Sequence, residues 1–312
     1  MPSALPYRET PTTIPAVDGF PLASTVFEPT GRGLDRPSVV QIHPATAVER
    51  GIYVKYARYL AQHGFTVITF DYRGTGESLR QPIRAFKGRM REWGELDIEG
   101  VLRFIADRFP GHRHLCVAHS VGGQVLGLAP SVGRLDAVWA VATQWGTWKL
   151  WPAPRRYFYK VLFHGVAPAM VGVFGYFPGR WLGMGDLPGS IGMDWMRWCR
   201  SAFYIQDDSG QPLRPHFHEL TARVRWNGFA DDPQFGPPKA VAHMPTLYPN
   251  ARNEVRIIHP DESGHPAIGH FGFFRSRFES TLWSASVDWL LAEETSPAPS
   301  AALDLALPIV TG

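Results

Sequence analysis

The chain has 312 residues, of which 45% are hydrophobic and 19% charged, a balance that suits a folded protein with a sizeable core and excludes a disordered one. Its net charge of +3 comes with arginines scattered along the sequence, so no nucleic-acid-binding face is expected. Two cysteines, Cys116 and Cys199, are too few for a disulfide framework. Together with an opening, "MPSALPYRETPTTIP", that lacks the apolar stretch of a signal peptide, they point to the reducing cytoplasm.

The first predicted element is a hairpin, because "TTIPAVDGFPLASTVFEPT" sets Asp18-Gly19 between two β-rich runs. "PSVVQIHPA" follows as a short buried strand. A helix is expected over 51–63, where Tyr53, Tyr56, Ala57 and Leu60 recur at helical spacing and Gly64 ends the run. "FTVITFDYRGTGES" is a second buried strand that breaks at Arg73-Gly74. A helix over 93–109, the strand "HLCVAHS", a small-residue helix from Val121 and the strand "AVWAVATQWG" continue the alternation. Short loops between strands and helices predict an α/β fold, a mostly parallel sheet covered by helices on both faces.

From Thr147 to Asp208 the rhythm changes. Trp148, Trp151, Trp181, Trp195 and Trp198 crowd together with Tyr, Phe, Pro and Gly, and no strand pattern appears. The segment reads as an inserted, aromatic-rich helical cap. Residues 161–179, "VLFHGVAPAMVGVFGYFPG", carry no charged side chain and approach spanning length, but His164, Pro168 and the glycines interrupt them. A buried or lipid-facing cap with peripheral lipid contact is expected there rather than an integral span. Alternation resumes with "RVRWNGFADD", a helix around Pro238 to Met244, the strand "NEVRIIHP" and a final helix from Ser276 to Leu291. The expected division is 1–146 and 209–294 for the two parts of the core, 147–208 for the cap and 295–312 for a loosely ordered tail.

The chemistry centres on "LCVAHSVGGQ", an apolar strand running into a small-residue turn with Ser120 at its middle. A serine held in a strained backbone between strand and helix presents its hydroxyl at the sheet edge, and the residues two before and two after must be small. Here they are Ala118 and Gly122. A helix from Val121 would also direct its N-terminal partial charge at the site. The alternative is that Ser120 is an ordinary helix N-cap.

A nucleophile needs a base, and "HPDESGHPAIGHFGFF" offers His259, His265 and His270 after the last strand. His270 is preferred, between Gly269 and Gly272 and just ahead of the final helix; His265 is its rival. The three with Asp261 match no compact metal-ligand spacing. The acid falls in "FADDPQFGPP", with Asp232 preferred and Asp231 the alternative, although Arg223, Arg225 and Asn227 suit a half-exposed strand. The oxyanion donors would be the N–H of Val121 and that of Ala45 in "HPATA", with Thr46 as second choice. Gly74-Thr75-Gly76 hints at a dinucleotide loop, but Leu79 stands where the third glycine belongs, so no cofactor is expected.

Taken together, these residues make the sequence resemble the α/β-hydrolase fold superfamily from about Pro37 to Leu291, the cap aside. The carriers are "FDYRGTGES", "AHSVGGQ", "ADD" and "GHFGFFR". "FGYFPGRWLGMGDLP", "DWMRWCRS" and "PAIGHFGFFR" resemble a little-characterised bacterial branch of predicted serine hydrolases. The resemblance implies a triad of Ser120, Asp232 and His270 with the aromatic segment as lid. Ala118 departs from the usual glycine, and the loop "DDPQFGPP" is one residue longer than the common spacing, so Asp231 and Asp232 both stay open. The expected activity is cofactor-independent cleavage of a small-molecule carboxylic ester or thioester with an apolar acyl group. The alternatives are an acyltransferase using the same residues and a non-catalytic binding protein of the same fold.

Overall fold

Apolar side chains along the central strands point alternately to the two faces of one sheet, and this alternation organises the molecule. In the computed structural model, which describes residues 6–31 and 36–295, that sheet has eight strands. They are β1 (Tyr7–Pro15), β2 (Pro21–Pro29), β3 (Ser38–His43), β4 (Thr66–Phe70), β5 (Arg113–His119), β6 (Ala137–Val141), β9 (Arg223–Phe229) and β10 (Arg252–Ile258). Their order is β1-β2-β4-β3-β5-β6-β9-β10. The β1–β2 and β2–β4 pairings are antiparallel and all others parallel. The β1–β2 connection is the hairpin expected at Asp18-Gly19, with Gly19 at φ 80°.

Val40, Ile42, Leu115, Val117 and Trp139 pack on one face with α1 (Val54–Gln62) and α9 (Ser284–Thr295). Val39, Cys116, Ala118, Val138 and Ala140 pack on the other with α2 (Glu99–Arg108). The remaining helices are α3 (Val121–Gln124), α4 (Arg155–Val161), α5 (Ala167–Phe174), α6 (Gly189–Arg200), α7 (Pro238–Ala242) and α8 (Gly269–Gly272). A π-helical turn at Leu162–Val166 joins α4 to α5. Each fully buried Val or Leu on these faces contributes about 1.5–3 kcal/mol.

Three expectations change. The helix after Ser120 is a single turn, because Gly122 and Gly123 are weak helix formers and Val125 leaves helical geometry at φ −97°, ψ 4°. One turn aligns too few peptide dipoles for the expected N-terminal charge. The aromatic segment holds a two-stranded ribbon, β7 (Tyr176–Phe177) with β8 (Leu187–Pro188), too short to leave an alternating pattern in the sequence. Strand β9 is not half-exposed throughout: Asn227 is buried and donates to the Ala140 carbonyl at 3.0 Å, while Arg223 and Arg225 pair with Glu254 of β10. The expected tail lies outside the described residues from 296 onward.

Two histidines stand at the carboxyl ends of neighbouring strands, His43 on β3 and His119 on β5, and both are fully buried. Burial lowers the pKa of His43 from 6.5 to about 3 and that of His119 well below 6.5, where the nearby His270 adds to the effect. Both stay neutral in the fold, whereas the unfolded chain protonates them below pH 6.5. Between that pH and the lowered values, unfolding therefore takes up two protons. Each histidine should contribute a fall in stability with acidification of about 1.4 kcal/mol per pH unit. Buried Asp97, whose pKa burial raises to about 7, acts in the opposite direction over the same range. Urea unfolding across pH 6.5 to 4.5 should therefore show a slope smaller by about 1.4 kcal/mol per pH unit in His43→Asn than in wild type. Equal slopes would contradict it.

Candidate active site

The serine at the strand-to-helix turn carries the backbone of a strained elbow. Ser120 sits at φ 51°, ψ −116°, a region that side chains with a Cβ rarely adopt. Its N–H donates to the Val141 carbonyl of the neighbouring strand at 2.9 Å, which holds the bend in place. A Cβ on Gly122 would come 2.7 Å from both the Cβ and the carbonyl oxygen of His43, so the turn can approach β3 only with glycine there. Ser120 stands at the N-cap position but makes no side-chain bond to the helix backbone, so its hydroxyl does not cap the turn. The hydroxyl donates instead to Gln144 Oε1 at 3.4 Å, a long bond, and no hydrogen bond joins it to the His270 ring.

The two aspartates after β9 have different partners. Asp232 Oδ2 accepts from His270 Nδ1 at 2.6 Å, and its Oδ1 accepts the Phe235 N–H at 3.0 Å. Both side chains of the pair are buried. A Cβ on Gly236 would lie 2.8 Å from Asp232 Oδ2, so glycine keeps that carboxylate unobstructed. Asp231 turns to the backbone of the loop ahead of His270, accepting from Ile268 N at 2.7 Å and Gly269 N at 3.1 Å. One carboxylate orients the imidazole and the other anchors the loop that carries it. His265 lies elsewhere, bonded to the Arg277 carbonyl at 2.8 Å, and the His259 N–H donates to Glu262 Oε1 at 2.8 Å in the turn that begins at Pro260.

Ser120 and His270 line a common cavity of about 30 Å³ with Thr46, Gln124, Gln144, Met184, Trp195 and Phe235. That is room for roughly one water-sized group. It adjoins a larger cavity of about 170 Å³ through Gln144, Met184, Trp195 and Phe235, which line both. The larger space is walled by Trp151, Tyr159, Leu162 and Phe163 of the aromatic segment. That segment is tied to the acid loop, since Trp151 Nε1 and Tyr159 Oη both donate to the Gln234 carbonyl, at 2.9 and 2.5 Å.

One expected donor is lost. The Ala45 N–H donates to Tyr53 Oη at 2.8 Å, so it does not face the cavity with a free proton. The peptide N–H groups of Thr46 and Val121 have no protein partner, and both residues sit beside Ser120.

The bond to Ala45 opens a buried polar chain. Because Tyr53 Oη accepts from Ala45, its single proton goes to His119 Nδ1 at 2.9 Å. His119 Nε2 must then carry a proton, which it donates to the His270 carbonyl at 3.1 Å. Burial keeps this imidazole neutral, as that tautomer requires. Neither Tyr53 nor His119 is conspicuous in the sequence; the only signal is a histidine directly ahead of the serine. Gln144, which accepts the Ser120 hydroxyl, carries no signal in the sequence either.

The family model of serine aminopeptidase, S33, matches residues 37–130, a stretch that includes β3, β4, β5 and Ser120. No curated protein matches the sequence. Among solved structures, the chain is similar to a hypothetical protein of Pseudomonas aeruginosa, at 16% identity and TM-score 0.62, covering 94% of this chain and 96% of that one. It is also similar to a thermostable carboxyl esterase of Bacillus coagulans, at 9% identity and TM-score 0.62, with 92% and 99% covered. A third is an α/β serine hydrolase without a lid from Xanthomonas campestris, at 14% identity and TM-score 0.52, with 92% and 97% covered. The sheet order, the strained serine turn and these likenesses show that the chain has the α/β-hydrolase fold.

Proposed function

We propose that this protein is a serine hydrolase acting on a carboxylic ester or thioester with an apolar acyl group. The observation that carries the proposal is the 2.6 Å Asp232–His270 bond beside a serine at positive φ, with serine and histidine in one cavity. Asp232 would hold the imidazole so that Nδ1 carries the proton and Nε2 is the base. The Ser120 hydroxyl would leave Gln144 for that nitrogen; catalytic hydrogen bonds commonly tighten only with substrate in place. As Ser120 Oγ bonds to the acyl carbon, His270 takes its proton and returns it to the departing alcohol or thiol. The oxyanion would rest on the N–H groups of Val121 and Thr46. Water then adds to the acyl-enzyme, with His270 again as base, and the acid leaves. The aromatic walls of the larger cavity suit an apolar acyl group, with the 147–208 segment as cap. Buried, unbridged Cys116 and Cys199 accord with a reducing cytoplasm.

The long Ser120–Gln144 bond favours one second reading, a binding protein of this fold without turnover. A fluorophosphonate probe separates the two. Wild type should be labelled and Ser120→Ala silent; a folded, unlabelled wild type would favour binding alone. Against a panel of acyl esters, Asp232→Asn should lower kcat by about ten-thousandfold, since it leaves His270 in the wrong tautomer. Asp231→Asn should act chiefly on stability. The reverse ranking would exchange the two roles.

Tyr53 and His119 would act as positioning residues, because they connect the oxyanion loop to the backbone of His270. Tyr53→Phe leaves the Ala45 N–H and His119 Nδ1 without partners, which should cost about 1–3 kcal/mol of stability. It should also lower kcat by about tenfold or more at little change in KM. Lost stability with kcat intact would show that the chain is purely structural.

A further inference from the structure

We infer that the outer face of the 155–174 helical run docks on an anionic lipid bilayer surface, independently of whether the site turns over an ester. The run from Arg155 to Phe174 is, among the described residues, the one helix long and apolar enough to cross a membrane by length and composition. Its inner face is already committed to the protein: Tyr159, Leu162, Phe163 and Ala167 are buried, and Tyr159 is bonded to Gln234. A transverse span would have to withdraw those side chains, so the run can meet lipid only lying flat.

What it leaves outside is apolar. Val161 is 62% exposed, Val173 78% and the adjoining Trp181 67%, with Trp181 held edge-on against Phe174. Tyr157 and Val166 extend the patch. A buried protein interface or a lipid surface could cover such a face, and the charges decide between them. No Asp or Glu occurs between Asp136 and Asp186. Lys149, Arg155, Arg156 and Lys160 have no carboxylate partner among the described residues, and the next acid along the chain, Asp186, pairs with Arg180. Lys160 lies over the Trp148 ring, 5.5 Å from its centroid, and Arg156 over Tyr157 at 4.9 Å. Unpaired cations set among exposed aromatic and aliphatic side chains match the headgroup level of an anionic bilayer, where phosphates supply the missing anions. Arg155 and Phe158 also line the larger cavity, so docking would bring its rim to the bilayer.

Co-sedimentation with two kinds of large unilamellar vesicles tests the inference: phosphatidylcholine alone, and phosphatidylcholine with phosphatidylglycerol. The full chain should bind the mixed vesicles, bind phosphatidylcholine weakly, and lose affinity as salt rises. Arg156→Gln and Lys160→Gln should each weaken binding by about fivefold. Val161→Glu and Val173→Glu should each weaken it by about tenfold or more, with the unfolding midpoint unchanged. The inference fails if wild type leaves both kinds of vesicle in the supernatant, or binds them equally at all salt concentrations. It also fails if wild type is a dimer that the glutamate variants convert to monomer, because a second copy would then cover the face.

Discussion

The whole site depends on one residue held where residues of its type seldom go. A side chain at φ 51° is strained, and strain persists only where surrounding structure over-determines it. Here the restraints are visible. The Ser120 N–H is fixed to Val141, the glycine two residues on lets the turn pack directly against His43 of β3, and Ala118 is fully buried in the sheet. The consequence is a hydroxyl at the carboxyl edge of the sheet, followed by a single turn whose first N–H is unpartnered.

Around that elbow, buried polar groups are satisfied in a chain, and this gives the site its shape. Ala45, Tyr53, His119 and the His270 backbone form consecutive hydrogen bonds running between the loop after β3 and the loop after β10. In a dry interior such groups are costly unless paired, so each member constrains the next. Asp231 and Asp232 divide the rest of the task, one holding the loop and the other the ring. The two loops that the proposed acyl transfer would bring together are thus connected through protein.

Much of this was legible in the sequence, because it is local. The hairpin at Asp18-Gly19, the buried runs "SVVQIH" and "TVITF", and the serine between strand and small residues follow from turn chemistry and periodicity. Asp232 could only be preferred to Asp231, with both left open, since adjacent carboxylates differ only in which partner three-dimensional folding brings to them. Ala45 was expected as a donor because nothing nearby in sequence shows that the Tyr53 hydroxyl, eight residues on, returns to occupy its N–H. The short helix after Ser120 follows from its glycines, but the small-residue pattern allowed a longer one. In the sequence Tyr53 reads only as a helix-face hydrophobe, and its polar tip gives no sign.

The aromatic segment joins the two proposals. It walls the larger cavity from inside and presents valines, Trp181 and unpaired cations outside, so one stretch of chain would serve both an apolar acyl group and a lipid surface. The central claim, however, is covalent chemistry at Ser120. Its most direct measurement is mass spectrometry of the protein quenched during turnover of an activated acyl ester. The account predicts a mass gain equal to the acyl group, mapped to the peptide that contains Ser120. Product release with no adduct on quenching, or an adduct on a different residue, would contradict it.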